Sequence, residues 1–134
     1  MKNSLLSILI TIVLCSIASA AEQSIGSRLQ GRWLALEATS NGEAPPAGML
    51  ERLTLRFVGD KVEIMGAPLT SYRIDDSKKP AHIDILNSKQ QVGILEINGD
   101  ELRLCFGQKS DRPTQFRTKP YTDHTFIRLV REKP

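Results

Sequence analysis

Beyond residue 28 the chain alternates apolar and polar residues in short runs, and turn-forming residues interrupt the pattern too often for any long helix. Leu53-Thr54-Leu55-Arg56-Phe57 is apolar at every second position. Val62-Glu63-Ile64 resumes the alternation beyond Val58-Gly59-Asp60-Lys61, so the two runs read as a hairpin. Leu69 to Ile74 alternates again, with Thr70, Tyr72 and Ile74 on one face, and Ile83-Asp84-Ile85 follows the charged loop Asp75 to Pro80. Val92 to Ile97 and Leu102 to Phe106 flank Asn98-Gly99-Asp100, a hairpin turn whose first two residues accept positive φ at low cost. Phe126 to Arg131 makes the last strand.

The first strand runs from Leu29 to Thr39 and carries the single tryptophan in Leu29-Gln30-Gly31-Arg32-Trp33. Two prolines and two glycines in Asn41 to Gly48 then break regular structure, and Ala47 to Glu51 suits one helical turn. About eight strands thus follow one another through mostly short links. Parallel pairing needs crossovers of a dozen or more residues, so the strands pair antiparallel. Closing the sheet removes its exposed edges, and about eight strands enclose either side chains or one small ligand. The expected fold is an all-β, eight-stranded antiparallel up-and-down barrel with a short helical turn after the first strand; an open sandwich is the alternative.

Residues 1–20 carry Lys2, an apolar run from Leu5 to Ile17 and the small residues Ala18-Ser19-Ala20, the pattern of a cleavable secretory signal. The run is shorter than the roughly 20 residues that span a bilayer. A polar lead over 21–28 and one domain over 29–134 complete the organisation, and periplasmic or extracellular location is expected, with no membrane span in the mature chain. Cys15 would leave with the signal, making Cys105 the sole mature thiol and excluding an internal disulfide. Without Lys2 the mature chain carries 17 basic and 15 acidic residues, so nucleic acid is not an expected partner.

Leu29-Gln30-Gly31-x-Trp33, Asp75-x-Ser77-Lys78-Lys79-Pro80 with Ile83-Asp84, Gly99-Asp100-x-Leu102-x-Leu104-Cys105, and Arg112-Pro113-Thr114-x-Phe116 occur in that order. Together they resemble the lipocalin-like domain family abundant in planctomycete bacteria, over about Leu29 to Lys133. The resemblance implies a calycin-like barrel rather than an activity. The wider likeness to lipocalins implies that Gly31 and Trp33 close one barrel end and that Arg128 or Arg131 lies over the indole, a contact of about 0.5 to 2 kcal/mol. The disulfide and glycine-rich signatures of particular lipocalin subfamilies are absent.

Chemistry-bearing residues are sparse. His82 and Asp84 share a strand face but lack a third ligand at metal-site spacing, and Asp75-Asp76 lacks the oxygen spacing of a calcium loop. Cys105, between Leu104 and Phe106, reads as a packing residue rather than a nucleophile. With no Gly-x-Ser-x-Gly elbow or phosphate-cradling glycine loop, no catalytic residue, metal or cofactor is expected, and the chain is not read as an enzyme. In Arg112-Pro113-Thr114-Gln115-Phe116, an anion donor, a hydroxyl and an apolar lid sit on a proline-stiffened loop. Arg112, Thr114 and Phe116 are therefore candidate ligand-binding residues at the barrel mouth, with Tyr72 and Arg73 as candidate anchors. The expected function is binding of a small hydrophobic or amphipathic molecule; the alternative is a filled barrel that docks an envelope protein. Interior size separates them: Trp33, Leu55, Phe57, Leu104, Phe106 and Phe126 converging on one axis would fill the barrel, whereas Ala35 and Gly93 lining a void would leave room.

Overall fold

A computed structural model describes residues 23–109 and 111–133. The expected signal segment, residues 1–20, and with it Cys15 lie outside the described residues. A short helix α1 (Ile25–Leu29) leads into eight strands: β1 (Gly31–Ser40), β2 (Thr54–Val58), β3 (Lys61–Ile64), β4 (Thr70–Asp75), β5 (Ala81–Ile85), β6 (Gln91–Asn98), β7 (Glu101–Gln108) and β8 (Thr125–Arg131). Each pairs antiparallel with the next and β8 pairs with β1, giving a closed up-and-down barrel and disposing of the open sandwich. No helix among the described residues is long and apolar enough to cross a membrane.

Two local details differ from the expectation. Residues 25–29 are helical rather than a plain polar lead: the Ser24 hydroxyl accepts from Ser27 N at 3.2 Å, capping the turn. Leu29, read as the start of the first strand, ends this helix fully buried. Gly31, at φ 113°, then takes a conformation that side-chain-bearing residues rarely adopt as the chain enters β1. The helical turn after the first strand is a 3-10 turn at Leu50–Arg52.

Alternation puts Leu55, Phe57, Val62, Ile83, Leu95, Leu102, Leu104 and Leu129 in one buried core. β1 departs from strict alternation. Ala35 pairs with Leu129 but Glu37 pairs with Arg128, so Leu36 is an extra residue bulging out of the ladder, half exposed. The bulge inverts the facing of the rest of β1. Ala38, opposite Ile127, and Ser40, opposite Thr125, turn inward, while Glu37 stays outside and bonds Arg128 Nε at 3.1 Å. Without it Glu37 would enter the apolar interior.

Candidate functional site

The two barrel ends differ. At the end where α1 enters, Trp33 is fully buried and its Nε1 donates to Leu29 O at 2.8 Å. Arg131 of β8 supplies the cation over the indole, its guanidinium carbon 4.3 Å from the ring centroid, and donates to Gln30 O at 2.6 Å. Arg128 is on the outer face, paired with Glu37. Gln30 Oε1 accepts from Gly59 N at 2.7 Å, tying the helix exit to the β2–β3 turn. This end is plugged.

The opposite end holds an apolar cleft of about 420 Å³ between the β1–β2 loop and the mouth ends of β1 and β8. Its floor is Ala38, Ser40, Thr125 and Ile127, and its roof includes Pro45, Pro46, Met49, Leu50 and Leu53. Small residues on β1 leave the space that a leucine or phenylalanine would take. Its polar lining is Thr39, the Ser40 and Thr125 hydroxyls, 3.1 Å apart, and Glu43. The roof is tethered to the β7–β8 loop, since Asn41 N donates to His124 O at 3.2 Å and Gly42 N to Thr118 Oγ1 at 2.8 Å. Trp33, Leu55, Phe57, Leu104 and Phe106 meet in one core with Ala35 packed against it, so the barrel axis is filled and the cleft lies at the mouth, between β1, β8 and the β1–β2 loop. Of the six residues whose convergence would mark a filled barrel, Phe126 alone faces outward, into a second cluster with Ile94 and Cys105. Gly93 lines no void either, because a Cβ there would lie 2.6 Å from the Phe106 ring and from Cys105 O.

The five residues singled out in the sequence do not meet at this mouth. Tyr72 points inward near the plugged end, edge-on to Phe57, and its hydroxyl donates to Gly59 O at 2.7 Å while accepting from Gln30 Nε2. Burial holds its pKa above the ordinary value despite the Gln30 bond. Arg73 stands on the outer face, 3.0 Å from Asp84. Arg112 is no free anion donor: it donates to Ile83 O at 3.3 Å, Gly93 O at 2.7 Å and Asp84 Oδ1 at 2.7 Å, clamping β5 to β6 from outside. Asp84, the neighbour of His82 on that face, is thereby engaged; burial raises its pKa, but the bonds from Arg112 and Arg73 outweigh this and leave it below the ordinary value. Phe116 covers Ile94, Cys105 and Phe126 outside the barrel, with Arg103 stacked 4.8 Å from its ring centroid, so it is a plug of the outer cluster and not a lid. Thr114 lines a separate polar cleft on the β7–β8 loop. Burial pushes the Cys105 thiol up to about 11.

The cleft residues Ala38, Ser40, Pro45, Pro46, Thr125 and Ile127 escape sequence reading. Pro45-Pro46-Ala47, apolar inside a loop, is the one signal that pointed there, and it equally suits a plain break in regular structure. The fold and the mouth define an eight-stranded antiparallel barrel with one plugged and one open end. Comparison with protein-family models, curated proteins and solved structures finds no match.

Proposed function

We propose that this is an exported, lipocalin-like binding protein that takes a small apolar or amphipathic molecule in the open-end cleft, without catalysis. The observation that carries the reading is the cleft itself: about 420 Å³, walled by apolar side chains and crossed by one hydroxyl pair, within the size range of small-molecule sites. Burial of about 200 Å² of apolar ligand surface at roughly 25 cal/mol per Å² supplies about 5 kcal/mol before the cost of association. Affinity beyond the millimolar range then needs polar contacts, which Ser40, Thr125 and Glu43 are placed to make. Met49, Met65, Leu69, Leu86 and Tyr121, five of the seven exposed large hydrophobic residues among the described ones, belong to the loops and strand ends on this side, which suits entry of an apolar guest. Export rests on the Leu5 to Ile17 run followed by Ala18-Ser19-Ala20, and periplasm or exterior is the destination.

The test is titration of the mature protein with the fluorescent probe N-phenyl-1-naphthylamine. Saturable enhancement is expected, lost in Ser40→Trp, whose indole fills the cleft, and retained in Val58→Trp at the plugged end. Enhancement that is absent, or equal in both variants, overturns the reading. The weight then moves to a protein-docking barrel, favoured by the packed core and by exposed Leu69 and Leu86.

A further inference from the structure

Most arginines on this barrel are spoken for: Arg56, Arg73, Arg103, Arg112, Arg128 and Arg131 each pair with a carboxylate. Arg117 and Lys119 form no ion pair with the described residues. They lie two positions apart on the β7–β8 loop and line one cleft of about 240 Å³ with His124 and the hydroxyl-bearing Thr114 and Thr122. No carboxylate lines this cleft; Asp111 reaches His124 Nε2 from its margin at 3.0 Å.

The loop that presents these groups is held on both sides. Pro113 is buried, Phe116 packs on the outer cluster, and the Arg117 carbonyl faces Cys105 Sγ at 3.8 Å. Thr118 Oγ1 donates to Thr39 Oγ1 at 3.1 Å, and Thr122 Oγ1 donates to Lys119 O at 2.6 Å. Arg117 and Lys119 bring two positive charges to one cleft with no ion-pair partner among the described residues, and an anion bound there offsets that charge. A guanidinium fork, an ammonium and nearby hydroxyls are the donor set that recognises tetrahedral oxyanions.

We propose that the Arg117–Lys119–His124 cleft binds the phosphate-type oxyanion of a phosphorylated molecule. Arg117 takes two oxygens, Lys119 neutralises charge, and Thr114 donates to a third oxygen. None of the residues lining this cleft lines the apolar one, so the site stands or falls independently of the binding function proposed above.

The experiment is an amide chemical-shift titration of the mature protein with phenyl phosphate at constant ionic strength. Saturable shifts confined to residues 113–124 are expected, with affinity lowered at least about ten-fold in R117Q/K119Q and unchanged in K78Q/K79Q, whose lysines lie on the β4–β5 loop at the plugged end. The thermal midpoint of each variant establishes that it is folded. Shifts that do not saturate, that spread alike over Lys78, Lys79 and Lys89, or that persist at equal affinity in R117Q/K119Q overturn the proposal. Sedimentation with phosphatidylglycerol and with phosphatidylcholine vesicles separates the sources. Selective, Arg117-dependent binding to the anionic vesicles assigns a lipid headgroup, and phenyl phosphate binding without vesicle binding assigns a soluble ligand.

Discussion

Arg131, on the last strand, lies 4.3 Å over the ring of Trp33, on the first, and so closes the barrel seam and its end at one point. The same guanidinium bonds the carbonyls of Arg28 and Gln30 and approaches Asp100 at 3.4 Å. Stacking contributes about 0.5 to 2 kcal/mol and each net hydrogen bond about 1 kcal/mol. Arg131→Met is therefore expected to cost about 3 kcal/mol and to lower the thermal midpoint by roughly 10 °C, read by circular dichroism. Arg131→Lys keeps the charge but loses the fork, and should fall between the two.

The Arg112–Asp84 clamp makes stability depend on acidity. Because the carboxyl of Asp84 titrates below its ordinary 3.8 in the folded protein, the folded state favours the charged form. Its contribution is complete above that ordinary value and is lost as pH falls through the folded one. Arg112→Met, which leaves Asp84 with Arg73 alone and takes the donor from the Ile83 and Gly93 carbonyls, should cost about 2 kcal/mol at pH 7 by urea unfolding. The gap between wild type and Asp84→Asn should narrow below pH 4; an unchanged gap at pH 3 would contradict the clamp.

Cys105 is expected to be inert while the chain is folded. With its thiol raised to about 11 against an ordinary 9.0, the thiolate fraction at pH 8 is lower by about a hundredfold, and burial blocks access as well. Reaction with dithiobisnitrobenzoate should be at least two orders of magnitude slower in native than in urea-unfolded protein. Phe116→Ala, which uncovers the outer cluster, should accelerate it.

Gly93 is constrained by close approach rather than by its backbone angles. An alanine Cβ would press on Cys105 O, which belongs to the paired strand and cannot swing aside as a side-chain end would. Gly93→Ala should cost about 2 to 3 kcal/mol, measured by denaturant unfolding. Adding Phe106→Leu should restore only the part due to the ring.

Much of the fold was legible because period-two alternation and turn residues act locally. Leu53 to Phe57, the Asn98-Gly99-Asp100 turn and the Trp33 step each carried their message within a few residues. The site was less legible. Arg112, Thr114 and Phe116 form an attractive local motif, yet in the folded chain Arg112 and Phe116 pack on strands from outside the barrel while Thr114 lines a cleft on the β7–β8 loop. Tyr72 did point inward, but toward the plugged end, where Gln30 and Gly59 satisfy its hydroxyl.

Sequence alone determined the all-β class and the antiparallel order, since side-chain facing and turn geometry are properties of neighbouring residues. Tertiary structure decided which arginine covers Trp33, and it decided where the mouth cleft forms. Both depend on register between distant strands. The bulge at Leu36 is the clearest case: one unpaired residue against β8 turns Glu37 out and Ala38 and Ser40 in, and so places small residues where the cleft forms. No local pattern encodes that shift, because the penalty it avoids, a carboxylate inside an apolar barrel, exists only once the barrel has closed.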